Sequence, residues 1–558
     1  MQLAGIYMQF SRYILSGIAL LILVMCSAAL LRYRQKPKTA AVLKNLLNGD
    51  LIPVSQYETS VGSNKKCDAV LAYDTVSRSH AVLALRTDGW FVYDTRSKTG
   101  IEVNGLRVDK KAVIYDGDTV SFGGIPFSFS TEIPDELSKK PGRPASQSML
   151  LQSVYFMLLT IFQIFAAGAV IVGENNSLVT GNIFVFAGLI LSEWIFFLTG
   201  SVFFRIRHFE PEVTAFLLST LGLGAVAAES PSNALKQFLT LLAGEVIFFI
   251  AIGFLRNIEH VKPMRWVAAF GSVGLLGLTL VLAKAVNGAL NWISFGGVSF
   301  QPSEFVKVAF IFVGAVTLER LQSTQSLTKY MFFAGACVGE LFLMYDFGAA
   351  LIFFFTFIII AFMRSGDVRT LILICFGALL GGGMILYFRP YVADRFATYR
   401  HIWEFMNDGG YQQTRTLIYS SSGGLFGLGL GQGKLRYVFA AEEDLAFGVI
   451  FEEFGMIIAF AAPLVLAVLA VYAIRCAKCS RSSFHSIAAV ASGGLLVFQA
   501  CLNIFGVTDL LPMTGVTLPF VSRGGSSMIC CWALLAMIKS ADRRTYTEIN
   551  PESGVRSE

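Results

Sequence analysis

The chain has 558 residues, 54% of them hydrophobic and 15% charged, at a mean hydropathy of +0.62. Those values lie outside the soluble globular range and indicate a polytopic membrane protein. The net charge of +6 is modest and reads as cytoplasmic loop bias, not as a nucleic-acid footprint.

Residues 13–31 form an apolar run of about 19 residues, long enough to span a bilayer. Arg32, Arg34, Lys36 and Lys38 follow it, so its C-terminal end belongs in the cytoplasm. With no clean small-residue cleavage site after it, the stretch 1–40 is expected as a membrane anchor, not a removed signal.

Residues 41–134 change character. VLAYD, HAVLALR, GWFVYD, IEVNG, AVIYD and TVSFGG alternate or are β-branched, with Gly, Asp and Asn between them. That pattern predicts a small all-β sandwich of many short strands. The order Gly62-Ser63, Ser77-Arg78-Ser79-His80, Ser97 to Gly100, Val103-Asn104-Gly105 and Asp116-Gly117-Asp118 resembles the forkhead-associated (FHA) domain. The resemblance implies a reader of phosphothreonine-bearing proteins, with Ser77, Lys98 and Asn104 at the peptide and His80 bracing the loops. It departs at Ser63, which stands where the family has a phosphate-gripping Arg. Lys65, Lys66, Arg78 and Lys98 are cations able to compensate, since phosphate recognition needs clustered positive charge. A purely structural or protein-binding sandwich is the competing reading.

A basic linker at 135–149 leads to apolar runs at 150–173, 181–203, 211–228, 236–255, 266–286, 304–321, 329–344, 347–363, 370–388, 447–474, 486–506 and 526–540. These make about twelve spans after the anchor. The expected fold is a polytopic α-helical membrane protein carrying one small all-β sandwich. The basic loops 205–207, 256–265, 364–369 and 475–481 should lie inside, and counting spans from a cytoplasmic sandwich puts them there. The same count puts 287–302 and the loop 389–446 outside, with the polar tail 541–558 disordered in the cytoplasm. Glu193, Glu245 and Glu340 fall within spans and read as helix–helix pairing. Cys476-x-x-Cys479 has no second pair, so a zinc site there is not expected.

Four polar pieces carry the chemistry. The first is Asn291-Trp292-Ile293-Ser294-Phe295-Gly296 leading to Gln301-Pro302-Ser303-Glu304 and Lys307, where Pro and a carboxylate suit a helix start. The second is Tyr345-Asp346-Phe347-Gly348. The third is the loop 389–446, which holds Asp394, Arg395, Glu404, Asp408 and Asp444 and runs on to Glu453. The fourth is 511–527, whose two prolines, Ser522, Arg523 and the Gly-Gly-Ser-Ser turn containing Ser526 suggest a broken-helix element lining a cavity.

In this order the four pieces resemble the SEDS family (shape, elongation, division and sporulation), the FtsW/RodA/SpoVE group, over about residues 211–540. The resemblance implies a core of about ten helices, with the spans at 150–203 and the anchor as additions. It implies a peptidoglycan glycosyltransferase of the bacterial plasma membrane. Such an enzyme polymerises lipid II into glycan strands beside a class B penicillin-binding protein during division, elongation or sporulation. A sugar hydroxyl must attack an anomeric carbon whose leaving group is a lipid pyrophosphate. That step asks for a carboxylate base and for cations, either Arg and Lys or a divalent metal such as Mg or Mn. Arg395, Glu304, Lys307, Asp346, Asp444, Glu453, Ser522 and Ser526 are the implied substrate-binding positions. The family's catalytic Asp, however, is Phe405 here. Asp408 and Glu404 are the candidate replacements. A catalytically degenerate scaffold that binds lipid II and a penicillin-binding protein, and a lipid II transporter, remain as the other readings.

Overall fold

The computed structural model describes residues 2–32, 39–55, 58–65, 67–86, 89–134, 137, 149–173, 180–257, 261–286, 289–295, 298–318, 325–365, 372, 375–377, 398–480 and 482–546. Most of the expected span 370–388, the residues Lys66, Arg389, Asp394 and Arg395, and the tail beyond Tyr546 lie outside the described residues.

The alternating segments between Thr39 and Ser130 form two sheets, one of six strands and one of five, packed face to face. Their inner faces supply Leu83, Trp90, Val92, Phe122, Phe127 and Phe129, all buried. Strands Ala81–Arg86 and Gly89–Asp94 pair antiparallel with Leu83 opposite Val92, which keeps the apolar set on one face. His80 does brace the loops. Its Nδ1 accepts from the Ser77 N–H at 3.0 Å, which leaves Nε2–H to donate to the Gly100 carbonyl at 3.0 Å.

Among the described residues nine helices have the length and apolarity to cross a membrane, so the chain is a multi-pass membrane protein. Pro302–Thr317 and Gly525–Ala541 fall short of that length at 16 and 17 residues. The helix Gln2–Arg32 is more than a tether. It packs along Met149–Gly173 and Met456–Ala477, and its Tyr7 hydroxyl donates to the Phe165 carbonyl at 3.0 Å. At the centre lies Glu210–Glu229, buried along its whole length up to Ala228. Its small residues admit close neighbours: a Cβ on Gly222 would overlap the Val521 carbonyl. Phe196, Phe216, Phe248 and Trp532 interlock beside it, with Phe216 and Trp532 centroids 4.7 Å apart.

One expected span is corrected. The run 447–474 is two helices, Ala446–Phe454 and Met456–Ala477, broken at Gly455 with φ 89°. A continuous apolar run hides such a break, because hydropathy does not register backbone handedness. Two of the three glutamates within the spans pair between helices as expected: Gln163 donates to Glu193, and Ser192 donates to Glu245 at 3.0 Å, whereas Glu340 Oε2 is buried without a hydrogen-bond partner.

A hydrogen bond joins the sandwich to a helix start of the bundle. The N–H of Ser483, which opens Ser483–Val507, donates to Glu58 Oε2 at 2.9 Å, and Glu58 Oε1 accepts from Arg86 Nη2 at 2.7 Å.

Candidate active site

The four polar pieces of the sequence meet at one end of the bundle. The segment 289–300, expected as a loop, is a β-ribbon of strands Ala289–Phe295 and Val298–Phe300 with Ile293 opposite Phe300. It delivers Asn291 and Gln301 to Asp346, whose Oδ2 accepts from their amides at 3.2 and 3.1 Å. Asp346 Oδ1 takes the Ala349 N–H at 3.0 Å, capping the helix Phe347–Ser365. Asp346 is thus a buried brace whose oxygens are already supplied with donors.

The segment 511–524 runs as irregular backbone up to the helix Gly525–Ala541, and the helix Ser483–Val507 satisfies several of its polar groups. Gln499 Nε2 donates to the Thr517 carbonyl at 3.0 Å, and Asn503 Nδ2 donates to the carbonyls of Val516 and Asp444 at 2.7 and 2.8 Å. Ser522 Oγ accepts from the Leu518 N–H at 2.8 Å and donates to the Glu443 carbonyl at 2.6 Å. Non-helical backbone at membrane depth is tolerated only with such partners.

Arg523 is held by two glutamates. Its Nη2 lies 2.7 Å from Glu443 Oε1 and its Nε 3.2 Å from Glu442 Oε2. Burial and the neighbouring Glu229 carboxyl push the Glu442 carboxyl up to about 9. Nothing local in the sequence marks the partner of Glu442, which lies across the fold.

Between these elements lies a cavity of about 610 Å³. Asp346, Glu443 and Asp444 are its carboxylates. Gln301, Gln412, Gln413, Thr517, Ser526 and Ser527 are polar walls, and Trp292, Tyr399, Phe347 and Phe439 are aromatic ones. Among the described lining residues Arg523 is the one cation. Gln412 and Gln413 sit at the start of the helix Tyr411–Ser422 and were not singled out in the sequence; they also donate to the carbonyls of Phe439 and Gly506.

The remaining site candidates scatter. Asp408 is exposed and next in the chain to the lining residue Gly409. Glu404 is exposed and pairs with His401 at 3.1 Å. Neither carboxylate lines the cavity, nor do Glu304 and Lys307. Those two form a buried pair at 2.8 Å, with Lys307 also donating to Gln499 at 3.0 Å. Glu453 is buried in Ala446–Phe454, whose carbonyls receive the N–H groups of Leu428 and Gly429 from the glycine-rich loop. That loop, with φ 79° at Gly427, is therefore built for close backbone approach. In the sandwich, the Lys98 N–H donates to Ser77 Oγ at 2.9 Å, which brings those two loops together. The Asn104 side chain is engaged by Asp118 and the Thr119 N–H, both at 2.9 Å. Arg78 and Lys98 are exposed. No cluster of metal-ligating side chains occurs among the described residues, and the nine cysteines are free thiols.

A family model described as cell cycle protein (FtsW/RodA/SpoVE) matches residues 214–547, and one for the FHA domain matches 59–123. The chain is similar to stage V sporulation protein E of Bacillus subtilis (strain 168), 29% identical over 349 residues, 59% of this chain and 95% of that protein. It is also similar to the probable peptidoglycan glycosyltransferase FtsW of Coxiella burnetii, 36% identical over 286 residues, 48% of this chain and 76% of that one. A solved structure described as the structural coordination of polymerization and crosslinking by a peptidoglycan synthase complex shares the fold. Its TM-score is 0.52 at 24% identity, covering 61% of this chain and 98% of that one.

Proposed function

The chain belongs to the FtsW/RodA/SpoVE family, and from that premise we propose that it is a peptidoglycan glycosyltransferase that polymerises lipid II at the cavity. The observation that carries the reading is the meeting of all four polar motifs around one space of about 610 Å³, large enough for sugar units. An acceptor sugar hydroxyl loses its proton to a carboxylate, its oxygen bonds to the anomeric carbon, and the bond to the pyrophosphate oxygen breaks. The lipid pyrophosphate leaves with that electron pair. Asp408, beside lining residue Gly409, is the proposed base, and Glu404 is the alternative. Arg523 is already neutralised, so the leaving group's charge falls to Arg395 or a divalent cation. Asp346, Asp444 and Ser526 line the substrate space, while Lys307, paired with Glu304, holds Gln499, and Ser522 holds the carbonyl of lining residue Glu443.

On this reading the cavity faces the cell exterior, the sandwich and C-terminus lie in the cytoplasm, and a class B penicillin-binding protein cross-links the product. The sandwich reads a phosphothreonine peptide through Arg78 and Lys98 beside Ser77, with Asn104 fixing the neighbouring turn. Titration with phosphothreonine peptides tests this: Arg78→Gln with Lys98→Gln should abolish binding. Failure of every peptide with the unaltered chain leaves the sandwich a structural role.

The central test is the purified chain with labelled lipid II, alone and with its penicillin-binding partner. Glycan strands are expected from the unaltered protein, and Asp408→Asn should lower their rate at least about a hundredfold. Glu404→Gln should not. Reversal of that pair moves the base to Glu404. No glycan under any condition favours a lipid-binding scaffold, a reading supported by Phe405 at the family's Asp position and by the neutralised Arg523.

A further inference from the structure

At the opposite end of the bundle lies a second pocket, of about 400 Å³. The helix Gly525–Ala541 fixes its distance. Ser526 lines the first cavity, while Thr545 and Tyr546, just past the helix end, line the second. Seventeen residues of α-helix separate them by about 25 Å. The walls are Phe203, Phe204, Arg205, Ile252, Gly253 and Arg256.

Four observations define what this pocket takes. Its charges are Arg205 and Arg256, with no carboxylate among the lining residues, and among the described residues no acid pairs with either guanidinium. Two like charges at one small space repel unless an anion sits between them. Arg205 is held there by a left-handed backbone, φ 55°, which a non-glycine residue adopts only when its surroundings impose it. The rim is apolar and exposed: Val202 and Phe203 are 65% and 80% exposed at the end of a helix long and apolar enough to cross a membrane, and Phe254, two residues before Arg256, is 40% exposed. The floor is closed and polar, since the Tyr546 hydroxyl donates to the Ile252 carbonyl at 2.8 Å and Thr545 stands next to it.

We propose that this pocket binds the phosphate group of an anionic membrane lipid, with Arg205 and Arg256 gripping the phosphate oxygens and Phe203 and Phe204 against the first acyl carbons. Basic pockets at helix ends at the membrane surface have the depth and charge for lipid head groups. The inference is independent of what the first cavity catalyses.

The test uses the full chain purified in detergent with mixed phosphatidylcholine and phosphatidylglycerol, and counts retained lipids by native mass spectrometry. Phosphatidylglycerol should be retained in preference to phosphatidylcholine. Arg205→Gln and Arg256→Gln should each weaken that retention about tenfold, and the double variant should remove it. Arg207→Gln removes the same charge from the same loop but not from the pocket, and should leave retention unchanged. A thermal melt of each variant separates loss of the site from loss of the fold. Equal retention of both lipids overturns the proposal. So does retention that survives in the folded double variant, which would make the arginines simple partners of the helix C-termini. Displacement by inorganic phosphate at concentrations comparable to the lipid would also overturn it, assigning the pocket to a soluble phosphate compound.

Discussion

Glu442 is the residue at which the cavity's electrostatics can be read from outside. Burial and the Glu229 carboxyl raise its carboxyl to about 9 against an ordinary 4.5, although Arg523 pulls the other way. Between those values the folded chain keeps a proton that the unfolded chain gives up, so each rise in pH favours unfolding. This contribution is complete below about pH 4.5 and gone above about pH 9. Glu442→Gln cannot titrate. Its melting temperature should fall less steeply than that of the unaltered chain across that window, and the two curves should run parallel outside it. Identical slopes throughout would mean that Glu442 is charged in the folded state. None of this was legible from the chain, where nothing local marks the partners of Arg523. The carboxylate that neutralises it most closely, Glu443, is 80 residues away.

Single glycines decide element boundaries that hydropathy misses. Gly455 has φ 89° and ψ 170°, and a Cβ there would strike the Leu425 carbonyl and the Gly427 amide. That backbone region is open to glycine alone. Gly455→Ala should therefore destabilise the chain by about 3 kcal/mol, combining backbone strain with overpacking. A matched control is Gly339→Ala, where a Cβ meets nothing within 4 Å. That change should be neutral or stabilising by up to about 1 kcal/mol in a helix interior. Thermal unfolding in detergent compares them, and equal shifts would refute the special role of Gly455. The sequence revealed that residues 447–474 are apolar but not that they turn. A glycine inside an apolar run is usually tolerated, so it carries no signal of its own. The β-ribbon at 289–300 escaped for a related reason: one strand holds polar Asn291 and the other, of three residues, runs into Gln301, both of which read as loop. The motifs flanking both features were legible because Pro, Gly and charged residues inside a membrane protein need partners, and that need is visible without coordinates.

At the scale of the whole molecule, one helix joins the sandwich to the cavity. Ser483–Val507 begins at the Glu58 carboxylate and ends with Gln499 and Asn503 holding Thr517, Val516 and Asp444. The Glu58 contact combines a backbone N–H, a helix N-terminus that favours negative charge, and the Arg86 guanidinium at 2.7 Å. Glu58→Gln keeps the shape and removes the charge, so the contact should weaken by about 1 kcal/mol or more. Hydrogen exchange at Ser483 to Ser486 should then quicken by about fivefold to tenfold, and Arg86→Gln should produce a smaller change in the same place. Exchange around Thr517 should stay as it is. Two amide side chains fix that loop, and the buried hydrogen bonds along the helix separate it from the sandwich end. A change confined to the first turn defines the contact as a tether. If exchange at Thr517 rises with it, the helix is transmitting the state of the sandwich to the cavity, and the tether reading fails.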